Sequence, residues 1–378
     1  MENFIKEIKN KFRENSFQNV VWWINLFPRM FGFSYFSTKI LGPFWIFLLS
    51  CTFYVDIVGF VNFNMFYANG LTDMLNSYFN ISVFVVIYNT GRWMMFERKG
   101  LRKVLELAEK NNNMAIQFES SVPKHTVLIK SMKNLVLFCY SFHLINELIV
   151  FTPQRVSKIG DFCVTSCVGM EPVNNSPSKE ICLTLYVLQA VFGIIGVASY
   201  DATFLFLFAH TAAMFEILKE EMISLNDPQE LTRVAERIKN LVYRHSLVLD
   251  TFKEIQEIYS ITIGVTFGLE AISMCIFFVL PLNLVLIFTP IIIHGMFVFF
   301  LYCYQGQKIT TAAERFQTAV YFCGWENFSI KEQKMILIML RQAQKPVVLK
   351  AGSVVHVCIY TYACMLQSIY KYVTAFKT

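Results

Sequence analysis

The chain holds 378 residues, of which 55% are hydrophobic, 16% aromatic and only 16% charged, with a formal net charge of +6. A soluble domain has too little polar surface to cover that content, and charge-poor runs of roughly 20 residues point instead to helices that cross a bilayer. Soluble enzyme classes are disfavoured at this step, and neither a cofactor nor a nucleic-acid partner is expected.

The first stretch, MENFIKEIKNKFRENSF, alternates charged and apolar residues and has no hydrophobic core, so it does not read as a cleavable signal peptide. VVWWINLFPRMFGF, at 20–33, is amphipathic and Trp-rich, which suits a helix lying at the membrane interface. Seven apolar runs follow, at 40–60, 75–95, 135–151, 181–208, 258–280, 282–303 and 353–372. The fourth continues past His210 toward Leu218 and is expected to project beyond the bilayer as helix. The fifth and sixth are parted only by Pro281, Leu282 and Asn283.

Between the third and fourth runs lies a loop at 152–180 with Cys163, Cys167 and an Asn-x-Ser acceptor at Asn174. These features fit an extracellular, oxidising face. The other eight of the 10 cysteines read as small apolar fillers, and no pair has metal-ligand spacing.

The polar segments between runs also read as helices. In 231–252, Val234, Ile238, Leu241, His245 and Leu249 recur at three- and four-residue steps on one face. Segment 307–323 behaves similarly, and 329–344 opens with Ser329 three residues before Glu332, a capping-box pattern. These segments suit either an internal bundle within one subunit or a layer that assembles subunits.

Basic residues set the expected orientation. The segments before run one and between runs two–three, four–five and six–seven hold 26 of the 33 Lys and Arg, and the opposite side holds 5. Short cytoplasmic loops retain such residues, so the N-terminus is expected inside and the C-terminus outside. A G-protein-coupled receptor has the reverse arrangement.

The stretch FFLYCYQGQKITTAAERFQTAVYFCGWENFS (299–329), the linker RQAQKPVVLKAG (341–352) and a last helix carrying Ser368, Tyr370 and Tyr372 together resemble the insect odorant receptor family. The likeness is specific from Phe299 onward, with Gln307 where many members have Glu and His356 where many have Pro. His356 is expected to leave the start of the last span regularly helical. The resemblance implies an all-α membrane protein with seven transmembrane helices and cytoplasmic helical extensions that form an assembly layer. It further implies a ligand-tuning subunit of an odorant-gated nonselective cation channel, a heterotetramer with the odorant receptor coreceptor, in the plasma membrane of olfactory sensory neurons.

The expected division is 1–39 as cytoplasmic segment, 40–303 as spans one to six, 304–349 as anchor helices and 350–378 as pore helix with a short tail. Ser368, Tyr372 and Ala375 share one helix face and are expected to line the pore, since a water-filled path needs that face polar or small. Pairing between helices would account for the same stripe. A gustatory-type receptor channel of the same inverted architecture is the alternative, and a G-protein-coupled chemoreceptor a more distant one.

Asp56, Lys133, Glu147, Asp201 and Glu270 fall within spans, where charge is costly, so each should face protein or water. Asp201 and Glu270 are expected to pair structurally rather than bind odorant. A volatile ligand needs an apolar, aromatic cavity with few polar groups. The resemblance implies one in the outer half of spans two, three, four and six. There lie Tyr78, Phe79 and Ser82; Phe142, His143 and Asn146; Tyr186, Gln189 and Phe192; and Phe288 and Ile292.

Overall fold

The computed structural model describes residues 2–30, 32, 34–37, 47, 50–51, 53–66, 70–117, 122–148, 167–169, 176–226, 234–279, 282–352 and 354–377. Two short helices come first, α1 (Glu2–Arg13) and α2 (Phe17–Met30), with a π-helical turn at Tyr54–Val58 running into α3 (Gly59–Phe66). The bundle proper is α4 (Leu71–Phe96), α5 (Arg98–Ile116), α6 (Val122–Asn146), α7 (Ser178–Ile223), α8 (Val234–Val279) and α9 (Leu282–Tyr321). It closes with α10 (Ile330–Ala343), a minimal hairpin of β1 (Lys350–Ala351) and β2 (Val355–His356), and α11 (Ile359–Lys377). About half of the first apolar run lies outside the described residues, as do Cys163 and Asn174.

α7 and α8 are each 46 residues long. At 1.5 Å per residue each reaches roughly 70 Å, more than twice the hydrocarbon thickness. The expected extension past His210 is therefore observed, and from Val234 onward the polar segment expected at 231–252 continues unbroken into the fifth run. The sixth run likewise continues through 307–321 in α9.

α7 is the axis of the fold. Phe204, Phe206 and Phe208 are all fully buried, although they point in different directions around the helix. A helix that is apolar all round belongs at the centre of a bundle, and α7 packs against α2, α4, α5, α6, α8 and α9. Rings lock these neighbours to it: Phe204 stacks on Tyr302 at 4.2 Å, and Trp93 meets Tyr200 edge-on at 4.9 Å.

α2 does more than lie flat at an interface. Phe17, Val20, Trp23 and Ile24 are buried, and the helix packs on α6 and α7. Lys133 of α6 ties down the turn before it, donating to the carbonyls of Phe12 and Glu14 at 3.0 and 2.9 Å and to Asn15 Oδ1. That satisfies a cation which would otherwise be costly at this depth.

Where α7, α8 and α9 extend beyond their apolar stretches they form a second layer. Its centre is a buried ion pair: Arg244 donates to both oxygens of Glu221, at 2.6 and 2.5 Å, and Arg244 is 0% exposed. Burial pushes the Glu221 carboxyl up, against the opposing pull of Arg244. His245 beside it is buried against Phe316 at 4.7 Å, and burial holds its imidazole down at about 4. The capping box expected at Ser329 and Glu332 is present at the start of α10.

Two expectations need correction. Cys182, read as an apolar filler, forms a disulfide with Cys167, a pairing that spacing alone could not single out. His356 does not extend the last helix, because it pairs with Lys350 in the hairpin, and the helix starts at Ile359. Contacts with two long helices hold that hairpin in place. Gly352 N–H donates to the Ser260 carbonyl of α8 at 2.9 Å, and Gln256 brackets Lys350 by bonds to its N–H and carbonyl. On α9, a Cβ at Gly306 would stand 2.1 Å from the Val357 carbonyl oxygen, so only glycine lets the two backbones approach this closely.

Candidate functional site

A cavity of about 150 Å³ opens between α4, α6, α7, α8 and α9, toward the end of the bundle that carries the disulfide. Its apolar wall comes mainly from Val83, Val86 and Ile87 of α4, Ile194 and Val197 of α7, and Ile292 of α9. Polar groups reach it from every other side: His143, Asn146 and Glu147, Gln189, Glu270 and Ser273, and His294. This is the composition of a small-molecule site, largely apolar with a few convergent polar groups. An apolar protein cavity of roughly this size holds a benzene ring.

Five of the residues singled out from sequence line the cavity: Ser82, His143, Asn146, Gln189 and Ile292. Phe142 stands behind the wall, stacked on His294 with ring centroids 4.9 Å apart and planes at 10°. Tyr78 is joined to the rim through its hydroxyl, 3.3 Å from Ser273 Oγ. Tyr186 packs on the Cys167–Cys182 disulfide instead, and Phe192 is buried outside the lining set. The side chains of Phe79 and Phe288 lie outside the described residues.

The polar groups are not equivalent. Ser82 Oγ donates to the Tyr78 carbonyl and Ser273 Oγ to that of Leu269, both at 2.9 Å, so neither hydroxyl has a proton left to offer. Beneath the cavity, Asp201 accepts from the Tyr302 hydroxyl at Oδ1 and pairs with His143 Nε2 at Oδ2, at 2.8 Å. His143 Nδ1 in turn lies 3.3 Å from His294 Nε2. A relay of four side chains from α6, α7 and α9 thus runs from the bundle centre to the cavity.

Asp201 therefore does pair structurally, as expected. Glu270 does not: among the described residues it makes no hydrogen bond or ion pair, and its carboxyl lies in the cavity wall against Gly295. A Cβ at Gly295 would fall 2.2 Å from Glu270 Oε2, so this glycine makes the room for that carboxyl. Sequence reasoning missed α8 as a wall, and with it Leu269, Glu270 and Ser273, along with His294. The available signal was the cost of an ionisable residue inside a span, which makes each one a site candidate by default.

Comparison with known proteins decides the family. The family model described as "7tm Odorant receptor" matches residues 70–370 of this chain. The chain belongs to the odorant receptor family. Among curated members, Odorant receptor 82a of Drosophila melanogaster is 25% identical over 47% of this chain and 48% of its own length. Odorant receptor 19a of the same fly is 25% identical over 48% of each. The chain therefore matches about half the length of these relatives. Across nearly its whole length it shares the fold of the insect olfactory receptor OR5 from Machilis hrabei, with a TM-score of 0.74 at 13% identity and 90% coverage of each chain. The structure of that receptor in complex with eugenol superposes with a TM-score of 0.70 at 14% identity, over 94% of this chain and 96% of that one. This odorant receptor family chain is thus an all-α, seven-span, membrane-embedded protein.

Proposed function

We propose that the chain is the ligand-tuning subunit of an odorant-gated nonselective cation channel, assembled as a heterotetramer with the odorant receptor coreceptor. In this reading it sits in the plasma membrane of olfactory sensory neurons with its N-terminus in the cytoplasm. The lopsided basic residues support that orientation. The division into a segment at 1–39, spans one to six at 40–303, anchor helices at 304–349 and a pore helix at 350–378 belongs to the same proposal. Five of the candidate ligand residues, with Glu270 and His294 added, form its odorant site.

The observation that carries the reading is the amphipathic character of α11 within a receptor-family fold. α11 buries Ile369 against the bundle, while Ser368, Tyr372 and Ala375 lie exposed on another face of the same chain. In a ring of subunits that face suits a central water-filled path, because hydrocarbon would penalise its polar groups.

Cavity and pore helix are also mechanically close. Phe267 of α8 meets Phe299 of α9 edge-on at 4.1 Å, and Phe299 and Phe300 lie 5.5 and 5.6 Å from Tyr362 of α11. Phe267 and Phe299 each lie within about one turn of a cavity-lining residue, Leu269 and Gly295. A ligand that spreads α8 from α9 acts on the base of α11 through these rings. It shifts the open–closed balance only by its difference in affinity for the two states.

The test is current recording from cells expressing the full chain with the coreceptor, under G-protein block. Odorant-evoked cation currents are expected, with ion permeation altered in Tyr372→Ala at unchanged surface level. Currents that vanish under G-protein block would defeat the channel reading, and unaltered permeation in Tyr372→Ala would remove that residue from the pore.

A further inference from the structure

A groove of about 350 Å³ crosses the bundle between α6, α7 and α9 and reaches Ile359 at the start of α11. It shares no lining residue with the cavity described above. Its floor is alanine: Ala209, Ala212 and Ala213 of α7 and Ala312 of α9, all buried. Side chains this short leave a trough between the neighbouring helices. Leu128, Met132 and Leu135 of α6 make one wall, and the α9 residues from Tyr304 to Arg315 make the other.

The groove lies where the apolar runs stop. Leu135 opens the third run, Ala209 follows the fourth and Tyr304 follows the sixth. In a membrane-embedded chain that level is the edge of the hydrocarbon, and the headgroup layer adds about 5–8 Å beyond it. At about 1.5 Å per residue, Lys308 stands roughly 6 Å past Tyr304, among the headgroups, and Arg315 roughly 10 Å further on. Lys308 is exposed and makes no ion pair or hydrogen bond among the described residues. Arg315 reaches Glu216 at 3.2 Å, and Lys219 holds the same carboxylate at 3.0 Å. The lining thus carries two cations against one acid, and that acid is already matched. On the orientation proposed above, this mouth faces the leaflet that carries the anionic lipids.

An apolar trough that starts at the hydrocarbon edge and ends on an unmatched cation fits a molecule with the same gradient. We propose that the groove seats an anionic phospholipid. The roots of its acyl chains lie against Leu135, Met132 and the alanine floor, its phosphate meets Lys308, and its headgroup turns toward Arg315. Because Ile359 lines the same groove, the lipid also lies against the first turn of α11.

Native mass spectrometry of the detergent-purified full chain, equilibrated with equal amounts of phosphatidylserine and phosphatidylcholine of the same chain length, reads lipid retention and oligomeric state together. Phosphatidylserine is expected to be retained in preference. Lys308→Gln should lower that retention about fivefold, the worth of one basic side chain at a membrane surface. Lys130→Gln, exposed at a similar depth on α6 but outside the lining, should leave it unchanged. Excess glycerol 3-phosphate should not displace the lipid, and displacement would assign the groove to a soluble phosphate instead. Equal retention of the two lipids by the unaltered chain would overturn the proposal, as would a preference untouched by Lys308→Gln or lowered equally by Lys130→Gln. Lipid carried by monomers and absent from oligomers would give the groove to a second copy of the chain and also overturn it. Because the readout is lipid binding, the result stands or falls independently of any odorant current.

Discussion

Arg244→Ala is expected to destabilise the chain by about 3–5 kcal/mol, the usual cost of leaving one buried partner of an ion pair uncompensated. Arg244 is fully buried and grips both oxygens of Glu221, so no water is at hand to replace it. The pair joins the end of α7 to α8 in the layer below the spans, and its loss is expected to unravel that layer first. Thermal unfolding of the detergent-purified chain measures the effect. Replacing both partners together, Arg244→Met with Glu221→Leu, should recover most of the loss, since an apolar pair of similar volume is often neutral or stabilising. A single variant as stable as the parent would mean that the pair is solvated in the working protein.

Asp201→Leu is the second large effect, again about 3–5 kcal/mol. Asp201 is the shared partner of Tyr302 and His143, and removing it strands both at a depth where no solvent compensates. Unlike Arg244, it also reaches the cavity: without Asp201, the cavity-lining His143 loses the partner that holds its ring in place. Ligand discrimination should therefore fall along with stability. Asp201→Leu combined with His143→Leu should restore much of the stability but none of the discrimination, and that split separates a structural role from a tuning one. Melting curves and ligand-induced shifts on the same preparation report the two.

Much of the fold was legible in the sequence. The apolar runs, the overlong fourth helix and the capping box at Ser329 rest on local patterns, length and periodicity, which survive folding unchanged. The hairpin at 350–356 was not legible, because its pairing depends on Ser260, Gln256 and Gly306, all far away in sequence. Cys182 was invisible as a disulfide partner for the same reason. For the cavity, the resemblance pointed to the right end of four helices and included Ser82, His143, Asn146, Gln189 and Ile292. Position along a helix can be read from sequence, but rotation about its axis cannot. Tyr186 and Phe192 sit at the right depth and turn elsewhere, whereas Glu270 sits on a helix that was left out and turns inward. Gly295 is the one local hint, since a missing side chain opposite a carboxyl marks where another group has to fit.

The central claim is that a small molecule acts by occupying this cavity. It is tested most directly by filling the cavity from two independent walls, with Val86→Phe on α4 and Val197→Phe on α7, and recording odorant dose–response curves at matched surface expression. The account predicts that each substitution abolishes the response or shifts it to far higher concentration. Unchanged curves in both, with the protein at the cell surface, would place the ligand elsewhere and contradict it.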